Sequence, residues 1–146
     1  MNYENEMEIR FRAVPVNEML ARNAVAAFIL YLDPETEELA EIKTAVSEAV
    51  TNCIVHGYAK NPEGIITLES KISYDRKLYI KVTDRGRGIE NIEEARRPLF
   101  TTGDFEERSG MGFTVMESFM DSIDVVSKPG EGTEVGMTKS LTYSVE

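Results

Sequence analysis

Residues 41–52 read EIKTAVSEAVTN, and this stretch decides how the middle of the chain folds. Its apolar residues return every three or four positions, which is typical of one face of an α-helix. Glu48 and Asn52 are four positions apart and lie together on the opposite face. A carboxylate beside a neutral amide can supply a general base and an oxygen ligand for magnesium. Taken alone, such a pair is more often explained by two solvated side chains. The apolar stripe consists of Leu39, Ile42, Val46, Val50 and Cys53.

The composition limits the classes of function. The chain has 146 residues, a formal net charge of −10 and a sequence pI of about 4.7. An acidic surface repels DNA and anionic membranes, so we expect no direct nucleic-acid partner and no membrane association. Cys53 is the single cysteine, which excludes an intramolecular disulfide and fits a cytoplasmic protein.

The remaining periodic segments predict an α+β fold. A helix from Asn17 to Leu32 is expected, with Asn17 as its cap and with an apolar face of Leu20, Ala24, Ala27, Phe28 and Tyr31. The expected architecture is a two-layer α/β sandwich, a mixed and mostly antiparallel sheet with helices on one face, in a single domain spanning residues 1–146. The other predicted helices are Glu35–His56, Ile92–Arg96 and Met111–Met120, and the predicted strands are Glu6–Ala13, Ile65–Tyr74, Lys77–Thr83, Ile123–Ser127 and Glu134–Leu141.

Three glycine motifs follow strands or open a helix. Asp84-Arg-Gly-Arg-Gly88 comes directly after a predicted strand, where glycines let the backbone approach a ligand and the aspartate can accept a hydrogen bond from adenine. Ser109-Gly-Met-Gly-Phe113 opens a helix, whose free N–H groups favour phosphate. Gly130-Glu-Gly-Thr133 lies between the last two strands. Each motif alone is also explained by an ordinary turn or helix start.

The order of these elements resembles the GHKL ATPase superfamily. A closer resemblance, to the anti-sigma F factors of spore-forming bacilli, covers nearly the whole chain from Glu6 to about Leu141. It rests on the segments 41–52, EIKTAVSEAVTN, 54–58, IVHGY, 93–96, EEAR, 98–102, PLFTT, and 107–113, ERSGMGF. The chain departs from the family pattern at Gly103-Asp-Phe105 and beyond Leu141. The resemblance implies a GHKL (Bergerat) fold with a lid at about residues 90–110.

The resemblance also implies roles for individual residues. Glu48 would be the catalytic base, Asn52 the Mg²⁺ ligand and Asp84 the adenine acceptor, with ATP or ADP as the nucleotide. Arg22 matches the partner-binding arginine of the family. The other implied nucleotide-binding residues are Gly86, Gly88, Thr101, Thr102, Arg108, Ser109, Gly110, Met111, Gly112, Phe113 and Thr133.

The implied function is that of an anti-sigma factor and protein serine kinase. Such a protein binds and inhibits a sigma factor of the sigma F type and phosphorylates a serine of an anti-anti-sigma factor. The family works as a homodimer, and the alternating strand from Met7 to Ala13 offers an apolar face for that contact. Two alternatives stay open: a kinase for a general-stress sigma factor, and a nucleotide-gated sigma-binding module without catalysis. A sensor histidine kinase is disfavoured because no histidine precedes His56.

Overall fold

The computed structural model describes residues 2–96 and 112–142. Within these ranges there are five strands and four α-helices. The strands are β1 (Tyr3–Arg12), β2 (Ile65–Ser73), β3 (Lys77–Asp84), β4 (Ser122–Lys128) and β5 (Gly132–Ser140). The helices are α1 (Asn17–Ile29), α2 (Thr36–Asn52), α3 (Ile92–Ala95) and α4 (Gly112–Phe119). No helix in the described ranges has the length and apolar character that crossing a bilayer requires.

The five strands form one open sheet in the order β1-β2-β3-β5-β4. Each of the four strand pairings is antiparallel. The expected α+β sandwich is therefore confirmed, with the refinement that the described sheet contains no parallel pairing. Because β5 lies between β3 and β4, it brings Thr133 opposite Asp84, which is the last residue of β3.

The core lies between α2 and one face of the sheet, with α1 and α4 packed on either side of α2. The predicted stripe of α2 is confirmed, because Ile42, Val46 and Val50 are fully buried. They belong to one apolar cluster with Leu68 of β2 and Leu78 of β3. Burying a side chain of this size stabilises a fold by about 1.5–3 kcal/mol. Helix α2 is therefore held firmly, and with it the polar face that bears Glu48 and Asn52.

The apolar face predicted for α1 is rotated about the helix axis relative to the face that the structure buries. Leu20 and Tyr31 were expected inside, but they are 50% and 57% exposed. The buried residues of the helix are Ala21, Val25, Phe28 and Ile29, of which Phe28 alone belongs to the predicted face. The helical period was right, but so many positions of this segment are apolar that two neighbouring faces fit it about equally well.

The ends of α1 also differ from the prediction. Asn17 is the first residue of the helix rather than its cap, and its side-chain amide donates to the carbonyl of Arg12 at 2.9 Å. The α-helix ends at Ile29 and continues as a 3₁₀ turn, Leu30–Leu32. Asp33 then adopts a left-handed φ of 51°, which stops the helix before α2 begins.

The apolar face of β1 is used within the subunit. Phe11 and Ala13 are buried in the core, and Met7 and Ile9 pack against it. The structure therefore accounts for these apolar residues within one subunit, and their use in a contact between subunits stays a prediction.

Candidate functional site

Helix α2 changes its winding directly after Asn52. The sequence predicted an α-helix up to His56, but Cys53–Gly57 form one π-helical turn, in which the N–H of Tyr58 donates to the carbonyl of Cys53 at 2.8 Å. Single π turns within helices occur frequently at functional sites. This turn places Gly57 against the Asp84 carboxylate, since a Cβ on Gly57 would lie 2.6 Å from Asp84 Oδ2. Any other residue at position 57 would displace that carboxylate.

A cavity of about 390 Å³ opens between the π turn, the end of β3 and the start of α4. Five of the residues predicted for the site line it: Asn52, Asp84, Gly88, Phe113 and Thr133. Glu48 is half-buried one helical turn before Asn52 and is not among the lining residues. Gly86 and Gly112 do not line the cavity, but the residue that follows each of them does. The predicted residues Thr101, Thr102, Arg108, Ser109, Gly110 and Met111 lie outside the described residues.

Asp84 is a buried acceptor that lines this cavity, with only 4% of its surface exposed. The N–H of Gly86 donates to its Oδ1 atom at 2.9 Å. Burial raises the pKa of the Asp84 carboxyl above its usual value. Hydrogen bonds from the Gly86 N–H, the Cys53 thiol and the Thr133 N–H oppose that shift. The residue is thus positioned to accept from a ligand rather than to interact with solvent.

The loop after β3 packs too closely for side chains at its glycines. A Cβ on Gly86 would lie 1.9 Å from the carbonyl oxygen of Gly57, and Gly88 has a left-handed φ of 75°. Arg87 connects the loop to the π turn through two hydrogen bonds. Its backbone N–H donates to the Gly57 carbonyl at 2.9 Å, and its side-chain Nε donates to the His56 carbonyl at 2.7 Å. The glycines therefore shape one wall of the cavity.

Sequence reasoning missed Ser127, which joins three parts of the wall. Its hydroxyl accepts from the N–H of Ile89 at 2.8 Å, donates to the carbonyl of Gly132 at 2.9 Å, and lies 2.7 Å from Thr133 Oγ1. Ser127 pairs with Thr133 across β4 and β5. The available signal was positional, because it precedes the Pro129-Gly130 turn by two residues. Ser127 orients the Thr133 hydroxyl, which lies at the edge of the cavity.

Asn52 has an unusual environment. Both polar atoms of its side-chain amide are buried, and neither has a hydrogen-bond partner among the described residues. Leaving a buried polar group unpaired costs about 1–3 kcal/mol. Asn52 also lines the cavity, so a ligand there can supply the missing partner. An amide oxygen is a suitable ligand for Mg²⁺, so Asn52 fits the role of a magnesium ligand.

Arg22 lies on α1, away from the cavity lining. Its guanidinium is 3.3 Å from a carboxylate oxygen of Glu18, and both side chains are one-third exposed. The second oxygen of Glu18 accepts from the hydroxyl of Thr51 at 3.0 Å. Thr51 directly precedes Asn52 on α2. Arg22 is thus held in one orientation, with part of its surface available to a partner.

Comparison with known proteins places this geometry in a family. The sequence model of one protein family, the histidine kinase-like ATPase domain, matches residues 11–139. An anti-sigma F factor of Thermoanaerobacter sp. (strain X514) is 59% identical over 141 residues, which cover 97% of each chain. The chain belongs to the anti-sigma F factor family. Another member, from Anoxybacillus flavithermus, is 54% identical over 140 residues, covering 96% of this chain and 95% of the relative.

Solved structures agree on the fold of this family. The RsbU and RsbW domains of Rv1364c from Mycobacterium tuberculosis match 97% of this chain and 34% of that one, with a TM-score of 0.72 and 19% identity. The mycobacterial sensor histidine kinase MprB matches 94% of this chain and all of that one, with a TM-score of 0.59 and 12% identity. At these identities the likeness shows the fold alone.

Proposed function

We propose that this protein binds a sigma factor of the sigma F type and phosphorylates a serine of an anti-anti-sigma factor with ATP. The observation that supports this best is the buried amide of Asn52, which has no partner within the described part of the chain and lines a cavity that Asp84 also lines. This amide supports a nucleotide site, which a nucleotide-gated sigma-binding module without catalysis would share with the kinase, so the transfer of phosphate has to separate the two. The membership of the anti-sigma F factor family supplies the choice of partner.

Each described site residue has a defined task in this proposal. Asp84 accepts from the exocyclic amine of adenine, and the Thr133 hydroxyl, oriented by Ser127, hydrogen-bonds the base beside it. Asn52 holds Mg²⁺, which neutralises phosphate charge when bound. Glu48 lies one helical turn from Asn52 and takes the proton from the serine hydroxyl, which is a weak nucleophile at neutral pH.

The decisive experiment is transfer of label from γ-labelled ATP to candidate anti-anti-sigma proteins. The proposal expects a labelled serine on one of them, and it expects that protein with its serine replaced by alanine to stay unlabelled. If a candidate binds the kinase but no serine is labelled, the protein is a sigma-binding module without this activity.

Nucleotide selectivity tests the role of Asp84. Guanine presents a carbonyl where adenine presents an amine, so two acceptors would face each other at a buried site. An unpaired buried acceptor costs about 1–3 kcal/mol, which corresponds to roughly 5–150-fold in affinity. We expect ATP and ADP to bind more tightly than GTP by a factor in this range in calorimetric titrations. Equal affinities for ATP and GTP would remove Asp84 from this role.

The partner surface is proposed to include Arg22. An arginine held by a neighbouring carboxylate can form two parallel hydrogen bonds with a carboxylate of the partner, and lysine cannot reproduce that geometry. Arg22→Ala should weaken binding of the sigma factor by about tenfold or more and leave ATP affinity unchanged. Arg10→Ala, on the polar face of β1, serves as the matched control for the loss of one positive charge. Equal effects of the two substitutions in a binding assay would show that only net charge matters.

We further propose that the protein is a cytoplasmic homodimer. The apolar side of β1 is buried within the subunit, whereas β1 is an edge strand and the opposite sheet face bears polar residues such as Lys71, Tyr79 and Lys81. Because the family resemblance implies a homodimer, we expect light scattering at micromolar concentration to give about twice the chain mass of 16.4 kDa. A mass of a single chain over the whole accessible range of concentrations would contradict the dimer.

A further inference from the structure

A chain of side-chain contacts leads from the proposed partner surface to the cavity. Arg22 and Glu18 lie one turn apart on α1, and their side chains form an ion pair at 3.3 Å. The other carboxylate oxygen of Glu18 accepts from the hydroxyl of Thr51, on α2, at 3.0 Å. Thr51 and Asn52 are the last two residues of α2 before the π turn. Arg22 is thus connected to the end of α2 through one carboxylate and one hydroxyl.

The hydroxyl of Thr51 donates to a different helix, which is not the usual contact of a threonine inside a helix. Such a hydroxyl commonly bonds to the carbonyl four residues earlier. Thr44, on the same helix, does so with the Ala40 carbonyl at 2.9 Å. Helix α1 packs directly against α2, and the Thr51 hydroxyl bonds across that contact to Glu18. It therefore links two helices, whereas the Thr44 hydroxyl stays within one.

Glu18 is held from two sides in this arrangement. An ion pair between positions i and i+4 of a partly exposed helix is weak by itself. The hydroxyl of Thr51 adds a hydrogen bond to a charged acceptor, which is a stronger contact than one between neutral groups. Thr51 therefore determines where the Glu18 carboxylate lies, and the carboxylate in turn determines where the Arg22 guanidinium lies.

The end of α2 has different contacts when the cavity is empty and when it is filled. In the empty cavity both polar atoms of the Asn52 amide are buried, and neither has a partner among the described residues. A ligand in the cavity can supply that partner, because Asn52 lines it. Thr51 is the adjacent residue of the same helical turn, so a ligand that holds Asn52 also holds Thr51.

We propose that Thr51 is a positioning residue that transmits occupancy of the nucleotide cavity to the partner surface. Filling the cavity fixes the end of α2, Thr51 then fixes Glu18, and Glu18 orients Arg22 toward the partner. The filled protein therefore binds the sigma factor more tightly than the empty protein, and the sigma factor raises nucleotide affinity by the same factor. This inference rests on the proposed roles of Asn52 and Arg22.

The test is the ratio of the affinities for a sigma F-type factor with saturating Mg²⁺-ATP and without nucleotide, measured by calorimetry. For the parent we expect a ratio of about 5–150, as is typical of coupled sites. Thr51→Val keeps the branched shape but has no hydroxyl, so its ratio should fall to within about twofold of one. Thr51→Ser restores the hydroxyl and should restore the ratio. Thr44→Val is the matched control and should keep the parent ratio.

The outcomes separate this inference from the proposed function. A parent ratio near one, or a parent-like ratio in Thr51→Val, would overturn the inference. An equal loss in Thr51→Val and Thr44→Val, or no recovery in Thr51→Ser, would overturn it as well, because Thr51 would then have a structural role only. Melting temperatures establish that each variant is folded.

Arg22→Ala tests the underlying partner role in the same assay. If it leaves the affinity for the sigma factor unchanged, the proposed role of Arg22 fails. If it weakens that affinity while Thr51→Val keeps the parent ratio, the inference about Thr51 alone is overturned.

Discussion

Replacing Glu48 by glutamine should reduce phosphoryl transfer by about 10²–10⁴-fold and leave ATP affinity within about twofold of the parent. Glutamine keeps the shape and hydrogen-bonding reach of the side chain but cannot take a proton from the serine hydroxyl. Glu48 is half-buried and lies beside the cavity rather than in its lining, so its loss as a base should not disturb the bound nucleotide. The substitution therefore separates chemistry from binding.

A single-turnover transfer assay run beside a nucleotide titration measures both quantities. Glu41→Gln is the matched control, because it makes the same change on α2 about two helical turns away from position 48. It should leave the rate unchanged. If Glu48→Gln transfers phosphate at close to the parent rate, Glu48 is not the base, and the protein must activate the hydroxyl in another way.

Replacing Asn52 by alanine should have opposite effects on binding and on stability. The buried amide has no partner among the described residues, so its removal relieves a cost of about 1–3 kcal/mol in the free protein. Alanine also suits the end of a helix better than asparagine. We therefore expect the free energy of unfolding without nucleotide to rise by about 1 kcal/mol. Affinity for Mg²⁺-ATP should fall by about 100-fold, because the oxygen ligand is gone.

Urea unfolding and calorimetry measure these two effects. Thr44→Ala is a suitable control, because it places alanine on an exposed part of the same helix and removes only a hydroxyl that donates to the Ala40 carbonyl. It should not change nucleotide affinity. A loss of stability in Asn52→Ala together with unchanged Mg²⁺-ATP affinity would mean that the amide has a structural role.

The sequence predicted the parts of this molecule that depend on periodicity. The stripe of α2 was correctly identified because polar residues separate its apolar positions clearly. In α1 most positions are apolar, so the pattern did not distinguish the face of Leu20 from the face of Val25, and the wrong one was chosen. Strands β2 and β3 follow the predicted runs Ile65–Tyr74 and Lys77–Thr83 closely, and they pair with each other.

The candidate site was predicted as a set of residues but not as a geometry. Asn52, Asp84 and Thr133 were named from their motifs, and the structure brings them to one cavity. The π turn was not foreseen, since no local signal in 53–57 distinguishes it from an α-helix. The tasks of Gly57 and Ser127 were missed for a different reason. Both depend on contacts with segments distant in sequence, Gly57 with Asp84 and Ser127 with Ile89.

The strand order has a consequence for how the protein is made. Strand β5 lies inside the sheet, between β3 and β4, although it occupies residues 132–140. During synthesis on the ribosome, one edge of β3 therefore stays unpaired until residues 132–140 have been made. Pairings over such long separations close slowly, in about milliseconds to seconds for sheet-rich domains. During that time the unpaired edge of β3 can form hydrogen bonds with strands of other chains. Asp84, at the end of that edge, gains its neighbour Thr133 only when the last strand enters the sheet.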